Sequence, residues 1–299
     1  HDRLHARAIA LSDGESHLAA VAADSLGFSN DVLGPGRSFT AEVRARVARR
    51  TGIPPEGLMV AANHVHSTPQ TTNLARLLDF PEAGPWLETL TEQLASAALL
   101  AWHSRRPAEL FAGLGSAPGI NRNRRSHLAA DAPVDDSFAG LLVRGEGWQG
   151  CLLNFACHPV AVQVNPLVSS DYPGVACTLV EQVLGADACV FLQGACGDLN
   201  PVRNTSNFED VRRYGMMLGG QALHLMATLD APGGQPLGPP LAARSRTVTL
   251  PPYPFPPEAE YLAEVERLEK ALGEAADEAK RKQVPGSLRV ARDRLAMIR

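Results

Sequence analysis

The sequence has 299 residues, of which 45% are hydrophobic and 20% charged, with a formal net charge of -4 and a pI near 6.2. These values are typical of a globular protein that buries a substantial core, as one large domain or two small ones. The slight acidity gives no electrostatic case for a nucleic-acid partner or an anionic membrane surface. No apolar run approaches the roughly 20 residues that span a bilayer, so the sequence predicts no transmembrane segment.

The start of the chain and its cysteines bear on its cellular setting. His1 and Asp2 lead almost at once into a strand-like stretch, without an initiating methionine or a signal-peptide pattern. This indicates a segment of a longer protein, with any targeting sequence upstream.

Five cysteines lie between Cys151 and Cys196, none in a C-x-x-C pair. Their odd number and apolar surroundings favour buried free thiols and a reducing compartment such as the cytoplasm.

The predicted elements begin with a β-hairpin. ARAIALSD (6–13) and SHLAAVAAD (16–24) form its strands, joined by the turn Asp13-Gly14-Glu15-Ser16. Helical spacing then predicts a helix over 38–51, which Gly52 closes. LMVAANHVHS (58–67) follows as a buried strand.

Helices and strands alternate through the middle of the chain. The patterns predict helices over 86–102, 172–184 and 208–229, strands over 109–117 and 188–196, a polar loop over 121–136, and a second hairpin of 138–145 with 150–158 about Gly145-Glu146-Gly147. The mixture predicts an α/β fold with multi-stranded mixed sheets and flanking helices.

The last part of the chain differs in composition. Residues 231–257 are dense in Pro and Gly, with a strand-like ARSRTVTL inside them, and predict a connection. Residues 258–282 predict a charged amphipathic helix whose charges form a solvated face. The predicted organisation is a main domain over 1–230, a connection over 231–257 and a charged helical segment of the same domain over 258–299.

Two histidines occur where an apolar strand runs out into a polar loop, in Asn63-His64-Val65-His66-Ser67. Residues two apart in a strand face the same side, so both imidazoles would lie together. They could share a metal ion, or one could bind it while the other handles protons. Hydrogen-bonded or surface histidines are the alternative.

A third histidine, His158, also follows an apolar run, LLNFAC, and precedes Pro159. A second histidine-bearing strand end favours a metal site, because a neutral imidazole at a strand end suits zinc. We therefore expect the metal site at the C-terminal ends of strands. The adjacent Cys157 suggests a Cys-His nucleophile instead, but neighbours in a strand face opposite ways.

A further motif, FLQGACGDLNP, is a buried strand that ends in small residues. Gly194 and Gly197 would let the backbone approach a ligand and leave amide groups free to bind an oxyanion. A tight turn without a ligand is the alternative.

These segments resemble the catalytic domain of the neutral/alkaline ceramidase family. NHVHS resembles its T-H-T-H-S-G-P, INR its I-N-R-S, NFACHPV with SSDYPG its F-A-x-H-P with S-D-N-x-G, and GDLNP its G-D-V-S-P. HDRLHARAIAL and VAADSLGFS are similar to its first hairpin. The resemblance covers about residues 1 to 230, in the family's order.

The resemblance implies a zinc centre with His64 and His158 as ligands. Around it, the implied catalytic residues are His66, Arg122, Asp198 and Asn200, and the implied substrate-side residues are Asp24, Asp171 and Gly197. His66 would handle protons and Arg122 would be a cation beside the substrate. The two other carboxylates, of Asp24 and Asp171, would orient ligands, since a metal-bound histidine usually passes its other ring proton to an acceptor. A strand-end or helix-cap role is the alternative for both.

The sequence also departs from the family pattern. Asn200 replaces the serine of G-D-V-S-P and cannot act as a nucleophile, although its amide could bind an oxyanion. The family completes its zinc site with a downstream glutamate, in a G-E motif, and a tyrosine. Gly273-Glu274 lies in a charged helical run without the apolar strand that precedes the motif, so we expect these ligands beyond Arg299.

The sequence therefore predicts a zinc-dependent amidohydrolase of the neutral ceramidase type, which cleaves an N-acyl bond with a metal-activated water. Its partner would be a small or lipid-like amide substrate, as in sphingolipid metabolism. The alternatives are a metallo-esterase, a non-catalytic lipid- or carbohydrate-binding relative, which Asn200 favours, and a thiol enzyme based on Cys157.

Overall fold

The protein is described by a computed structural model that covers residues 1–69, 71–72, 80–125, 132–163, 165–251, 256–274, 288, 290–292 and 294–295. The chain divides into two compact units, His1–Ser245 and Arg246–Arg299. The division falls within the connection predicted over 231–257. Among the described residues, no helix combines the length and the apolar character that a bilayer crossing requires.

Strands and helices are mixed along the chain, as the sequence predicts. The strands are β1 (Ala6–Ser12), β2 (His17–Ala23), β3 (Leu58–Ala62), β4 (Glu109–Ser116), β5 (Asn121–Asn123), β6 (Ser137–Gly145), β7 (Trp148–Phe155), β8 (Cys189–Gln193) and β9 (Leu199–Pro201). The helices are α1 (Phe39–Thr51), α2 (Ala83–His103), α3 (Asp171–Leu184), α4 (Phe208–Leu229) and α5 (Glu258–Glu274). The predicted mixed α/β class is confirmed.

The first sheet has the strand order β1-β2-β3. β1 and β2 form the predicted antiparallel hairpin, in which Ala6 is opposite Ala23, and β3 adds parallel to β2 through the crossover helix α1. α1 ends at Gly52, whose φ of 76° is the left-handed cap that glycine adopts readily. One face of the sheet packs on α1 and α2 around Val21, Phe39 and Leu94, all fully buried.

The second sheet has the order β4-β6-β7-β8 and includes the other predicted hairpin, β6–β7. β8 lies parallel to β7, and α3 is the crossover between them. This sheet packs on α3 and α4 around Leu142, Leu153 and Tyr172. Each sheet thus contains a parallel strand-helix-strand unit, and in such units ligands bind at the carboxyl ends of the strands.

A partly buried ion pair links the first sheet to helix α3. Arg7 of β1 lies with its Nε 2.7 Å from Oε1 of Glu181 in α3, and with its Nη2 3.3 Å from Oε2. The side chains are 11% and 23% exposed. The amide of Cys189 in β8 also donates to Glu181, at 2.9 Å. The pair therefore fixes the first sheet against α3 and β8.

Several predicted bounds differ from the structure. The strand predicted over 58–67 ends at Ala62, although the amides of Asn63 and Val65 still donate to the carbonyls of Ala23 and Ser25. The predicted loop at 121–136 begins with β5, which pairs with β9, and residues 126–131 of it lie outside the described part. The predicted strand over 243–250 has no partner and is not a strand. Of the helix predicted over 258–282, α5 covers the part up to Glu274, and the rest lies outside the described residues.

Candidate metal centre

Three histidine rings meet where β3 and β7 end. The ring centroid of His64 lies 5.0 Å from that of His66 and 4.8 Å from that of His158. The centroids of His66 and His158 are 5.7 Å apart. The structure therefore brings together the two predicted ligands and the predicted proton-handling histidine, which come from two different sheets.

The parallel pairing of β7 and β8 determines what lies beside His158. The pairing runs to Phe155 opposite Gln193, and the amide of Gly194 still donates to the carbonyl of Phe155 at 2.9 Å. The segments that follow both strands consequently leave the sheet side by side. Cys196 is on the second of these segments, which places it next to His158.

His64 has an unusual backbone conformation. Since β3 has already ended, the alternation argument for the histidine pair does not apply, and His64 has a φ of 64°, in the left-handed region that non-glycine residues seldom occupy. Its Nδ1 lies 2.8 Å from the carbonyl oxygen of Leu26. That carbonyl fixes the proton on Nδ1 and leaves Nε2 with a free lone pair.

His158 is held in the same way. Its Nδ1 lies 2.6 Å from the carbonyl oxygen of Cys196 and 3.3 Å from that of Leu199, and its own amide donates to Leu199 at 2.8 Å. The side chain is 7% exposed, and burial lowers the pKa of its imidazole, so the ring is neutral at pH 7. Nε2 is again the nitrogen available to a ligand.

The thiol of Cys196 completes a group of potential metal donors. One ligand atom from each of His64, His158 and Cys196 lies within 4.8 Å of the other two. Two imidazoles and a thiol are donors that zinc commonly binds. The sequence predicted buried free thiols for the five cysteines and assigned none of them to the metal. A usable signal was the position of Cys196 after an apolar strand, which is the argument that singled out His158.

His66 is half-buried and has an unsatisfied ring nitrogen. Its Nε2 is buried and has no hydrogen-bond partner. Burial, reinforced by the nearby His64, His158 and Arg124, lowers the pKa of its imidazole to about 4. The ring is therefore neutral at pH 7 and retains a lone pair that can accept a proton.

The two carboxylates predicted to orient ligands have hydrogen-bond partners other than the rings of His64 and His158. Asp24 is 4% exposed and accepts from the amide of His5 at 2.8 Å and from Nδ2 of Asn63 at 2.8 Å. Asp171 is fully buried at the start of α3 and accepts from the amides of Val162 and Tyr172. Backbone carbonyls, rather than these carboxylates, accept the Nδ1 protons of the two central histidines. Asp24 directly follows β2, and Asp171 is the first residue of α3, after its N-cap Ser170.

The remaining predicted site residues lie on the two-stranded ribbon of β5 and β9. Arg122 is opposite Asn200 and exposed. Asn200 has a buried side-chain oxygen without a hydrogen-bond partner. Asp198 accepts from Nδ2 of Asn123 at 3.0 Å, and Gly197 is exposed in the turn before it. The ribbon joins the centre through Leu199, whose backbone bonds His158.

Arg124 is a nearby cation that sequence reasoning missed. It follows Arg122 by two residues, and its charge acts on His66, His158 and Cys196. Its amide donates to the carbonyl of Asp198 at 2.7 Å. The INR motif singles out Arg122, whereas Arg124 directly follows the end of β5 at Asn123 and carries no motif of its own.

Cys157 is turned away from the histidines. Its Sγ lies 3.7 Å from the carbonyl oxygen of His158, the side chain is fully buried, and it belongs to the apolar core under the second sheet. Burial raises the pKa of this thiol well above its ordinary value, and the nearby Asp171 adds to the rise. A reactive thiolate requires the opposite, so these observations weigh against a thiol enzyme based on Cys157.

Comparison with known proteins shows that this chain is similar in fold to part of two solved structures. No protein-family profile and no curated protein matches the sequence. Two solved structures are similar, the neutral ceramidase of Pseudomonas aeruginosa and a ceramidase complexed with C2. For each, the TM-score is 0.62 and the sequence identity 24% over 74% of this chain. The chain spans 39% and 38% of the lengths of those two chains. The protein therefore shares the α/β fold found in part of these ceramidases.

Proposed function

We propose that the protein is a zinc-dependent hydrolase that cleaves the amide bond of an N-acyl amine. The observation that carries this proposal is the arrangement of His64 and His158. Each ring has its Nδ1 on a backbone carbonyl and its Nε2 available, and the ring centroids are 4.8 Å apart. Two imidazoles that each have Nδ1 on a carbonyl oxygen, after two different strands, are arranged to offer Nε2 to one cation.

The residues present fit a zinc ion. Zinc takes neutral imidazole nitrogens and thiolate sulfur, and a catalytic site keeps one position open for water. When bound, zinc lowers the pKa of its water to around 7 and polarises a carbonyl oxygen. His64 and His158 would hold the ion, and their carbonyl partners on Leu26 and Cys196 would keep the rings oriented.

The chain's own residues supply proton transfer and substrate contacts. His66 is neutral at pH 7, so one of its ring nitrogens has a lone pair that can accept a proton and return it to a departing amine. The exposed guanidinium groups of Arg122 and Arg124 would attract the polar end of a substrate. The amide of Asn200 would hydrogen-bond an oxyanion or a substrate hydroxyl, in place of the serine expected from the family pattern.

The choice of an amide substrate is supported by the fold shared with ceramidases and by the motifs that resemble that family. A ceramidase cleaves a lipid amide, and the same chemistry would apply to an acylated amine with a shorter or different chain. The Asn200 difference favours an N-acyl amine other than ceramide itself, with a place in lipid metabolism as the broader expectation.

The test compares the full-length protein with a variant that carries both His64→Ala and His158→Ala. Plasma mass spectrometry should find close to one zinc per chain in the wild type and little in the variant. A panel of matched N-acyl amides and esters should then show amide hydrolysis that chelation abolishes and added zinc restores.

Other outcomes would separate the alternatives. Absence of zinc from the wild type, or undiminished hydrolysis by the double variant, would overturn the proposal. Hydrolysis of esters without amides would establish a metallo-esterase. Zinc binding without turnover on any substrate would favour the non-catalytic binding relative.

A further inference from the structure

Cys196 differs from the other four cysteines in its surroundings. Cys151, Cys157, Cys177 and Cys189 are all 1% exposed or less and belong to the apolar core between the second sheet and its helices. Cys196 is 8% exposed and lies outside that core, beside the histidines. A thiol that only fills apolar space would be expected among the core side chains.

The distances around Cys196 are close to those of a metal site. Its Sγ and the ligand nitrogens of His64 and His158 lie within 4.8 Å of one another. In a tetrahedral zinc site, bond lengths of about 2.3 Å to sulfur and 2.0 Å to nitrogen place the donors roughly 3.3 to 3.7 Å apart. Binding would therefore require the donors to close by about 1 Å.

We propose that Cys196 is a third protein ligand of the centre and would offer the metal a sulfur beside the two imidazole nitrogens. This rests on the proposed function, because it assumes that His64 and His158 bind the ion. As the sulfur–metal bond forms, the thiol releases its proton to water. The described part of the chain then provides three ligands, where the sequence predicts only two.

A sulfur ligand changes which ions the centre accepts. Thiolates favour zinc and other soft ions, whereas magnesium, calcium and manganese prefer oxygen donors. The centre should therefore discriminate strongly against those three ions. A thiolate also gives the ion more electron density than a third neutral ligand would, and it makes occupancy sensitive to thiol reagents.

Cys196 has two separable contributions. Its backbone carbonyl accepts the Nδ1 proton of His158 at 2.6 Å, and its side chain supplies the sulfur. Replacing Cys196 by Ala or Ser removes the sulfur and keeps the carbonyl. The orientation of His158 should then survive in both variants, so that a changed metal site reports the loss of the ligand.

Cobalt(II) provides a readout that is independent of catalysis. In a four-coordinate site it gives visible d–d bands, and a thiolate ligand adds a charge-transfer band in the near ultraviolet. Wild-type protein loaded with cobalt should show both. Cys196→Ala and Cys196→Ser should lose the charge-transfer band, and their zinc affinity, measured by competition with a chromophoric chelator, should fall on the order of 100-fold.

Cys157→Ala is the matched control, because Cys157 is buried next to His158 with its sulfur directed away from the centre. It should retain the charge-transfer band, with circular dichroism as the check on folding for every variant. Visible bands without a charge-transfer band in the wild type would overturn the role of Cys196 and leave the histidine site standing. No cobalt or zinc binding at all would overturn the proposed function itself.

Discussion

The imidazole Nδ1 of His158 lies 2.6 Å from the backbone carbonyl oxygen of Cys196, so the ring and the loop after β8 are joined by a hydrogen bond. The ring cannot rotate without breaking that bond, and the loop cannot shift without turning the ring. The position of this loop therefore controls two of the three candidate donors at once. Substitution of a residue that determines the path of the loop should therefore alter the metal site, even when that residue offers no ligand.

Gly194 is such a residue. A Cβ built at this position would lie 3.0 Å from Cβ of Ala156 and 3.1 Å from its Cα and backbone nitrogen, closer than such contacts normally are. Gly194→Ala should therefore displace the loop by a few tenths of an ångström and cost about 1–3 kcal/mol of unfolding free energy. Because this loop carries both the carbonyl that orients His158 and the thiol of Cys196, zinc affinity should fall roughly tenfold. Urea denaturation and chelator competition measure the two effects.

The control for stability is Gly197→Ala in the same turn, where an added Cβ meets nothing within 4 Å. Its unfolding free energy should stay within about 0.5 kcal/mol of the wild type. Equal stability of the two alanine variants would contradict the close approach inferred at Gly194.

The backbone conformation of His64 gives a second prediction. At a φ of 64°, an alanine pays a steric cost that glycine does not, and both substitutions remove the same imidazole and its bond to Leu26. His64→Gly should therefore be more stable than His64→Ala by about 1 kcal/mol, although both lose metal binding equally. Chemical denaturation in the presence of a chelator makes the comparison. A more stable alanine variant would show that the left-handed conformation is not retained.

The partly buried guanidinium of Arg7 should contribute to stability through two carboxylates, those of Glu181 and the fully buried Asp24, which lies 3.9 Å from its Nη1. Arg7→Ala removes the cation from both and should cost about 3 kcal/mol. The exposed pair of Arg106 and Asp187, whose side chains are 47% and 60% exposed, is the comparison. Asp187→Asn should cost less than about 1 kcal/mol. Similar losses for the two variants, measured by denaturant midpoints, would contradict a partly buried link between the first sheet and α3.

Asp171 should make stability depend on pH. Burial raises the pKa of its carboxyl to about 7, Asp2 adds to the rise, and the amides of Tyr172 and Val162 oppose it, against an ordinary value of 3.8. The folded state thus holds this proton more tightly than the unfolded state. The resulting stabilisation is complete below about pH 4 and is lost as the pH rises through about 7.

Asp171→Asn cannot titrate and should lack this component. Between pH 5 and pH 8, the unfolding free energy of the wild type should fall relative to that of the variant by on the order of 2 kcal/mol. The comparison of slopes is independent of any constant loss that the substitution causes. Parallel pH profiles would show that the carboxyl is ionised throughout this range in the folded protein.

Much of the fold follows from local patterns in the sequence. α4 has the predicted bounds, Phe208–Leu229, because its apolar spacing continues over 22 residues, and both hairpins have clear turn residues between alternating strands. The end of β3 was not predicted, since it depends on where β2 stops pairing. The strand predicted over 243–250 failed for a related reason, because alternation alone supplies no hydrogen-bonding partner.

The candidate site, like the fold, could be predicted only where it depends on local sequence patterns. His64 and His158 were found because each follows an apolar run, and the fold brings them together. The carbonyls of Leu26 and Cys196, which hold their rings, have no sequence signature, since every residue carries a carbonyl. The carboxylates of Asp24 and Asp171 were predicted for that role, and their described hydrogen bonds go to other groups. The position of Cys196 after an apolar strand was a local signal, but its place beside His158 depends on the long-range pairing of β8 with β7.

The donors come from separate halves of the first unit, since His64 follows the β1-β2-β3 sheet and His158 and Cys196 follow the other. An ion that binds all three can do so only when the halves are docked. The free energy of binding would then also stabilise the docked arrangement of the two sheets. Conversely, any change that weakens the packing of either sheet should lower the affinity for the ion. The concentration of available metal would in that case affect the stability of the folded protein as well as its activity.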